Sequence, residues 1–340
     1  MKFKKNFKIC GLPVGEKNKV LIIGEAGVNH FGNLNEAKKL IKLAKNSKCD
    51  IFKTQHYSAN QLVGPSAKNW QRRLSKKELK DYEIEKLFNF CKKINIPFLC
   101  TPHDEKAFDF LNYELKVKAF KIGSGEIQNW PFIDKIASTK KPVILSTGMY
   151  TLQDLKEVIK IFEMRSSNRL AILHCVTAYP ANYRYLNLNF IQQIKKIFDG
   201  PVGYSDHTED DGASLAAVAL GAKIIEKHIT IKKNVKDAQD WKVSNDNYSM
   251  PIFVKKIRNI EMAIKNSKKP GISEEKAKKW AMKSITAKID INKNTKITQN
   301  HLILQRPGHG YPGKDINFFL NKKNRIKIKK GQILKKKNFY

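Results

Sequence analysis

Apolar residues recur along this chain in two alternating rhythms. Eight short, nearly unbroken apolar runs have the length and β-branched content of strands covered on both faces. They are VLIIGEAG (20–27), IFKTQHY (51–57), PFLCTP (97–102), AFKIGSGE (119–126), PVILSTG (142–148), LAILHCV (170–176), VGYSDH (202–207) and KIIEKHIT (223–230). Between them the spacing switches to that of amphipathic helices, as in LNEAKKLIKLAKNS (34–47), EIEKLFNFCKKI (83–94), LKEVIKIFEM (155–164) and LNLNFIQQIKKIF (186–198), with the small-residue stretch ASLAAVALG (213–221). A helical stretch after each of the first seven strands predicts an α/β fold with a parallel sheet. Eight strands close a (β/α)8 (TIM) barrel of about 250 residues, and PIFVKKIRNIEMAIKNS (251–267) supplies its last helix.

The rhythm breaks after residue 267. KKPGISEEKAKKW (268–280) mixes Pro, Gly and charge and reads as a linker, extended here to 268–282. Short β-like runs and turn residues follow, SITAKIDINKNTKITQNHLILQRPGHG (284–310) and GKDINFFLNKKNRIKIKKGQIL (313–334). The expected organisation is a barrel over 1–267, the linker, and a small, mostly β domain over 283–340. So short a domain has a thin core of its own and is expected to dock onto something.

Composition narrows the class. A 41% hydrophobic content fills a core, no run of eighteen apolar residues exists, and MKFKKNFKIC lacks the apolar stretch of a secretion signal. These features predict a cytoplasmic protein. Five scattered cysteines without a CxxC pair fit reduced thiols better than a disulfide framework. Lys and Arg number 65 against 31 acids, a net charge of +34, and the last twenty residues carry nine of the bases and no acid. With no zinc finger or RNA-recognition signature to focus it, this charge reads as solvated lysine-rich faces, with some attraction for anionic metabolites. A non-catalytic basic nucleic-acid binder is the competing class. It leaves the polar residues described next without a purpose.

Barrel enzymes keep their chemistry at the carboxyl ends of the strands. There the sequence places Glu25, Lys53 with Gln55, Thr101, Lys121 with Ser124 and Glu126, and Ser146 with Thr147. The later strands add His174 and Thr177, Ser205 with Asp206 and His207, and Glu226 with His228. Burying several unpaired ions in one barrel costs several kcal/mol each, a cost usually tolerated for function. His207 and His228, on adjacent strands, can aim two imidazoles at one divalent metal with open coordination positions; a structural hydrogen-bonded pair is the alternative. Lys53 and Lys121, with the hydroxyls of Thr101, Ser124, Ser146 and Ser205, resemble an anion cradle, and the turns GSGE (123–126) and STG (146–148) let backbone N–H groups approach a phosphate.

Taken in order, IIGEAGVNHFGN (22–33), FKTQ (52–55), FLCTPHD (98–104), FKIGSGEI (120–127), PVILSTGM (142–149), LHCVTAYP (173–180), VGYSDHT (202–208), ALGAKIIEKHIT (219–230) and QRPGHG (305–310) resemble the sialic acid (nonulosonic acid) synthase family. The final domain resembles that family's antifreeze-like SAF domain, of β-clip type. The resemblance implies condensation of phosphoenolpyruvate with the aldehyde of N-acetylmannosamine or a diacetamido relative, giving a nine-carbon 2-keto acid and phosphate. It implies a divalent metal on His207 and His228, manganese first, with magnesium or cobalt as alternatives. Lys53, Thr101, Lys121, Ser124, Ser146, Thr177 and Ser205 match phosphoenolpyruvate positions. Gln55, Tyr179 and Asp240 match positions near the sugar, as does Glu126, grouped here with the catalytic residues. Glu25 matches the carboxylate that handles protons or activates water. Arg306 matches an arginine that reaches the sugar's acyl group from the other subunit, which implies a homodimer. Departures gather around the sugar: AQD at 238–240 followed by Trp241, Thr177, His103, and the loop SANQLVGPSAKNWQRRLS (58–75). They point to a modified acceptor and a legionaminic- or pseudaminic-like product. Another phosphoenolpyruvate-condensing or aldolase-type barrel is the nearest alternative.

Overall fold

The computed structural model describes residues 2–235, 240–264 and 271–340. Its contacts divide the chain into two compact units, Met1–Lys265 and Asn266–Tyr340.

The first unit is the expected (β/α)8 barrel. Its strands are β1 (Leu21–Glu25), β2 (Ile51–His56), β3 (Phe98–Pro102), β4 (Phe120–Ile122), β5 (Val143–Ser146), β6 (Leu170–His174), β7 (Val202–Asp206) and β8 (Ile224–Ile229). Parallel ladders run in the order β3-β2-β1-β8-β7-β6-β5-β4, and β3 lies beside β4 without a ladder, so the ring is nearly closed. Around it stand α1 (Leu34–Asn46), α2 (Asp81–Lys93), α3 (Glu105–Asp109, continued by a π-helical turn), α4 (Trp130–Ser138), α5 (Leu152–Met164), α6 (Phe190–Ile197), α7 (Gly212–Ala219) and α8 (Ser249–Ala263). Local chemistry sets their starts. Asn33 accepts from the backbone N–H groups of Asn35 and Glu36 ahead of α1, and Thr151 and Asp154 cap each other's backbone ahead of α5. The 58–75 segment, expected as a loop, instead carries short helices at Ala59–Leu62 and Lys68–Ser75. Among the described residues no helix is long and apolar enough to cross a membrane.

Strand parity organises the interior. Outward residues such as Phe52, Cys100, Phe120, Leu145, Ile172 and Ile225 pack under the helices. Inward residues at the amino ends, among them Leu21, Ile23, Ile51, Leu99, Ile144 and Ile224, form a separate apolar cluster. Phe7, Ile9 and Val14 close that cluster from below. They belong to a hairpin, Asn6–Ile9 with Leu12–Gly15, which the hydrophobic pattern did not single out. Its two-residue turn needs positive φ at both positions, supplied by Cys10 (49°) and Gly11 (88°). Three such buried side chains contribute about 1.5–3 kcal/mol each, so the hairpin is a fixed floor.

The second unit pairs Ser284–Ala287 antiparallel with Leu302–Gln305. Its core includes Ile285, Ile291, Ile297, Phe319, Ile328 and Leu334. Buried Asn324 ties the loops together, donating to the carbonyls of Asn292 and Ile326 and accepting from the N–H of Thr295. The stretch expected as a linker contains a helix, α9 (Ile272–Ala281), while residues 265–270 lie outside the described ones.

Candidate active site

Toward the carboxyl ends, the inward positions of the strands change from apolar to ionic or hydroxylic. On β1 the series is Leu21, Ile23, Glu25; on β2, Ile51, Lys53, Gln55; on β8, Ile224, Glu226, His228. The same parity takes β3 to Thr101, β4 to Lys121, β5 to Ser146, β6 to Cys175 and β7 through Ser205 to His207. Register sets them abreast: Glu25 stands opposite both Lys53 and His228, and Glu226 opposite Ser205. A cavity at this end is lined by Glu25, Lys53, Gln55, Thr101, Lys121, Ser124, Ser146, Tyr179, Ser205, His207 and His228. A larger cavity, about 660 Å³, lies along the 58–80 segment by Lys68 and Arg72. None of the inward strand residues lines it; they converge on the smaller one.

Four buried charges share the cavity floor. Lys53 Nζ lies 2.7 Å from Glu25 Oε2 and 3.6 Å from Glu226 Oε2. Lys121 Nζ lies 3.4 Å from Glu226 Oε1, which also accepts from Ser205 Oγ at 2.9 Å. Gln55 Nε2 donates to Glu25 Oε1 at 3.2 Å. Burial pulls against every charge here, but the outcomes differ. Lys53 is held above the ordinary lysine value because Glu226 and Glu25 outweigh its burial. Lys121 falls below it, since burial and the nearby Lys53 outweigh Glu226. Glu226, despite burial, is drawn down to about 2 by Lys121, Lys53 and His228. The cluster therefore sets two lysines against two acidic side chains, with Glu226 between both lysines as its hub.

Two buried hydroxyls, Thr101 Oγ1 and Ser146 Oγ, have no hydrogen-bond partner among the described residues. An unsatisfied buried donor costs about 1–3 kcal/mol, and beside two ammonium groups the arrangement suits an anion with several oxygens. Thr177 Oγ1 donates to Ser124 Oγ at 3.0 Å from the neighbouring turn. Gly148 permits that approach: at φ 49°, a Cβ there would lie 2.3 Å from Ser124 Cβ and 2.3 Å from Thr177 Oγ1.

The imidazole centroids of His207 and His228 are 5.5 Å apart. His207 Nδ1 lies 2.7 Å from the Val176 carbonyl, which assigns the proton to that nitrogen. Burial, and His228 beside it, push His207 down to about 3, so the ring is neutral. Tyr179 stacks on it at 4.2 Å and 28°, with its hydroxyl 3.1 Å from Nε2. With the proton on Nδ1, Nε2 accepts from the Tyr179 hydroxyl, so a metal taken at Nε2 would replace that hydrogen bond. His228 Nδ1 is buried without a hydrogen-bond partner among the described residues, and Asp240 Oδ2 stands 3.8 Å away. Two metal–nitrogen bonds of about 2.1 Å, added to the ring radii, span such a separation, so the pair fits one divalent ion. No cluster of three His, Cys, Asp or Glu with metal spacing occurs among the described residues.

The remaining expected residues sit elsewhere. Glu126 is buried beside the cavity, accepting from Asn129 Nδ2 at 2.7 Å with His103 Nδ1 3.7 Å away. Asp240 flanks His228 and accepts from the Val28 N–H at 3.4 Å; Ala238 and Gln239 lie outside the described residues. Arg306 is exposed in the second unit. Three strand-end residues face away from the cavity: His174 packs between Phe190 and Tyr204, Thr147 lies on the outward parity, and Asp206 pairs with buried Lys227 at 3.3 Å. Conversely, Glu226, Cys175 and His103 line the cavity although none was singled out as a site residue. Two-residue spacing from His228 was the signal for Glu226, and from Leu173 for Cys175.

The NeuB family model matches residues 40–269, and the SAF domain model matches residues 283–339. The chain is 40% identical over 320 residues to N,N'-diacetyllegionaminic acid synthase of Campylobacter jejuni, covering 89% of this chain and 95% of the relative. It is 36% identical to N,N'-diacetyllegionaminic acid synthase of Legionella pneumophila over 348 residues, 97% of each chain. Among solved structures, the N-acetylneuraminic acid synthetase of Leptospira borgpetersenii, in complex with citrate, superposes with a TM-score of 0.75 at 31% identity, covering 81% of this chain and 96% of that one.

Proposed function

The chain belongs to the NeuB family, and from that premise we propose that it condenses phosphoenolpyruvate with an N-acylated amino sugar aldehyde to form a nine-carbon 2-keto acid. The observation that carries this reading is the cavity floor. Two lysines are held there by two carboxylates beside the unpartnered hydroxyls of Thr101 and Ser146. Lys53, Lys121, Thr101, Ser124, Ser146 and Ser205 bind the phosphate and carboxylate of phosphoenolpyruvate, with Thr177 holding Ser124 in place. Gln55, Tyr179 and Asp240 orient the sugar, and Glu126 supports its rim through His103.

Carbon–carbon bond formation joins C3 of phosphoenolpyruvate to the aldehyde carbon, and the aldehyde oxygen takes a proton. Water adds at C2, and the resulting tetrahedral centre expels inorganic phosphate to leave the ketone. His207 and His228 would hold a divalent cation, manganese first among the candidates, which supplies Lewis-acid polarisation of the aldehyde. Glu25, fixed between Lys53 and Gln55, accepts the proton of the attacking water. Cationic charge developing at C2 faces the carboxylates of Glu25 and Glu226, an arrangement that needs no reorganisation during the reaction. Holding both substrates side by side supplies about 7 kcal/mol or more.

The acceptor is proposed to be a diacetamido-trideoxyhexose, supported by the activity named for the two relatives above. Arg306 is proposed to meet its acyl group from the second unit of another copy of the chain, making the working enzyme a homodimer. Incubation with phosphoenolpyruvate, Mn2+ and a panel including N-acetylmannosamine and the diacetamido sugar tests the proposal. The expected result is phosphate release matched by a product equal to acceptor plus one pyruvate unit. Folded protein inert across the panel would remove it.

A further inference from the structure

Arg306 does not stand free on its loop. Its Nε donates to the Ala281 carbonyl at 2.9 Å, and the N–H of Gly308 donates to the Lys279 carbonyl at 2.9 Å. Both acceptors lie at the carboxyl end of α9, where carbonyls lack intrahelical donors and carry the negative end of the helix dipole. Gly308 is needed for this docking, because a Cβ there would lie 2.5 Å from the Lys278 carbonyl oxygen and 2.6 Å from Met282 Cβ. Behind the loop, Ser284 Oγ donates to the Pro307 carbonyl at 2.6 Å and accepts from the Gly310 N–H at 2.8 Å. The QRPGHG segment is thus stitched to one helix end and one strand start.

α9 buries none of its residues, so core packing does not explain its side chains. One of them is Trp280, 63% exposed, whose ring centroid lies 6.0 Å from the Arg306 guanidinium carbon. That is within cation–π range. Arg306 is exposed and forms no ion pair among the described residues, and its two terminal nitrogens have no protein partner there. An exposed arginine ordinarily samples many rotamers, and ordering it on binding weakens affinity. Here Nε is already committed and the guanidinium already lies over the indole ring.

We propose that Trp280 is a positioning residue for Arg306: together with the Ala281 carbonyl it pre-orders the guanidinium, leaving its two terminal nitrogens as a fixed donor fork for the acyl carbonyl of the acceptor sugar. The proposal rests on the reading of Arg306 as a sugar contact. It assigns a substrate-binding duty to a segment whose composition reads only as a linker.

Steady-state kinetics of the full-length enzyme test it, with N-acetylmannosamine or a diacetamido-trideoxyhexose as acceptor. Trp280→Ala is expected to raise acceptor KM three- to tenfold while kcat and the KM for phosphoenolpyruvate change less than twofold. Trp280→Phe keeps a π face and restores acceptor KM to within twofold; Trp280→Leu keeps bulk without that face and behaves like alanine. In an Arg306→Ala background, Trp280→Ala adds less than twofold, because the two residues act as one unit. Unchanged acceptor KM in Trp280→Ala, full restoration by leucine, or effects that multiply in the double variant would each overturn the proposal. Arg306→Ala with wild-type acceptor KM is a separate failure: it overturns the sugar-contact reading and the proposal with it.

Discussion

Replacing Glu226 by glutamine removes one charge from the centre of the buried cluster and little else. The amide retains an oxygen for Ser205 Oγ, now 2.9 Å from the carboxylate, but among the described residues Lys121 loses its one carboxylate partner and Lys53 keeps only Glu25. Breaking a buried pair by removing one partner costs about 3–5 kcal/mol. An upper bound follows from Lys121 itself, which can instead give up its proton at neutral pH at a cost of about 4.6 kcal/mol, from 1.36 kcal/mol per pH unit over the 3.4 units below an ordinary lysine pKa. Burial has already lowered Lys121, so the lower part of the range applies, about 3 kcal/mol. For a unit of this size that shifts Tm down by about 6 °C or more. Phosphoenolpyruvate returns an anion to both lysines, so its stabilising increment in a thermal melt should be larger for Glu226→Gln than for the wild type. Turnover should nevertheless fall about a hundredfold, because lysines aligned by the carboxylate are no longer fixed. A variant with wild-type Tm and an unchanged increment from phosphoenolpyruvate would refute the placing of Glu226 at the hub.

Other perturbations address separate parts of the site. Thr101→Val and Ser146→Ala should each raise the KM for phosphoenolpyruvate about tenfold, the effect of one lost hydrogen bond to a charged group, with acceptor KM unchanged in the same assays. His207→Ala and His228→Ala should each lower bound Mn2+ in metal analysis of the dialysed protein, and chelation of the wild type should stop phosphate release until the ion is restored. Equal metal in all three proteins would remove the pair as ligands. Gly148→Ala forces a Cβ to 2.3 Å from Ser124 Cβ at a positive φ; activity should drop at least tenfold with the fold intact by circular dichroism. Ile9→Ala, in the hairpin floor, should cost about 2–4 kcal/mol in chemical denaturation and leave both KM values alone; altered KM would mean the floor shapes the site.

The eight strands were readable because each is a continuous apolar run, the signature of a sheet covered on both faces. Their polar ends were readable too, but proximity to a strand end does not say which way a side chain points. His174, Thr147 and Asp206 were grouped with the cavity residues, yet each is one position out of phase with an inward neighbour and lies on the helix side. Glu226 was grouped correctly and then passed over, although it lies two residues before His228 on the same face. The hairpin at residues 6–15 escaped notice because lysines surround Phe7 and Ile9 and hide a short alternation. Helix α9 was obscured by its Pro- and Gly-bearing start, and its use emerges only once the loop at 305–310 is seen docked on its end. Thr101 and Ser146 were legible as strand-end hydroxyls, but that their hydroxyls lack hydrogen-bond partners among the described residues shows only once the ring is assembled.

A crystal structure of the protein soaked with phosphoenolpyruvate and Mn2+ bears most directly on where this reaction takes place. Phosphate oxygens should lie within hydrogen-bonding distance of Lys53, Lys121, Thr101 and Ser146, with the anomalous peak of manganese between the His207 and His228 rings. Phosphoenolpyruvate bound instead in the larger cavity beside Lys68 and Arg72, with the four buried side chains untouched, would contradict that assignment.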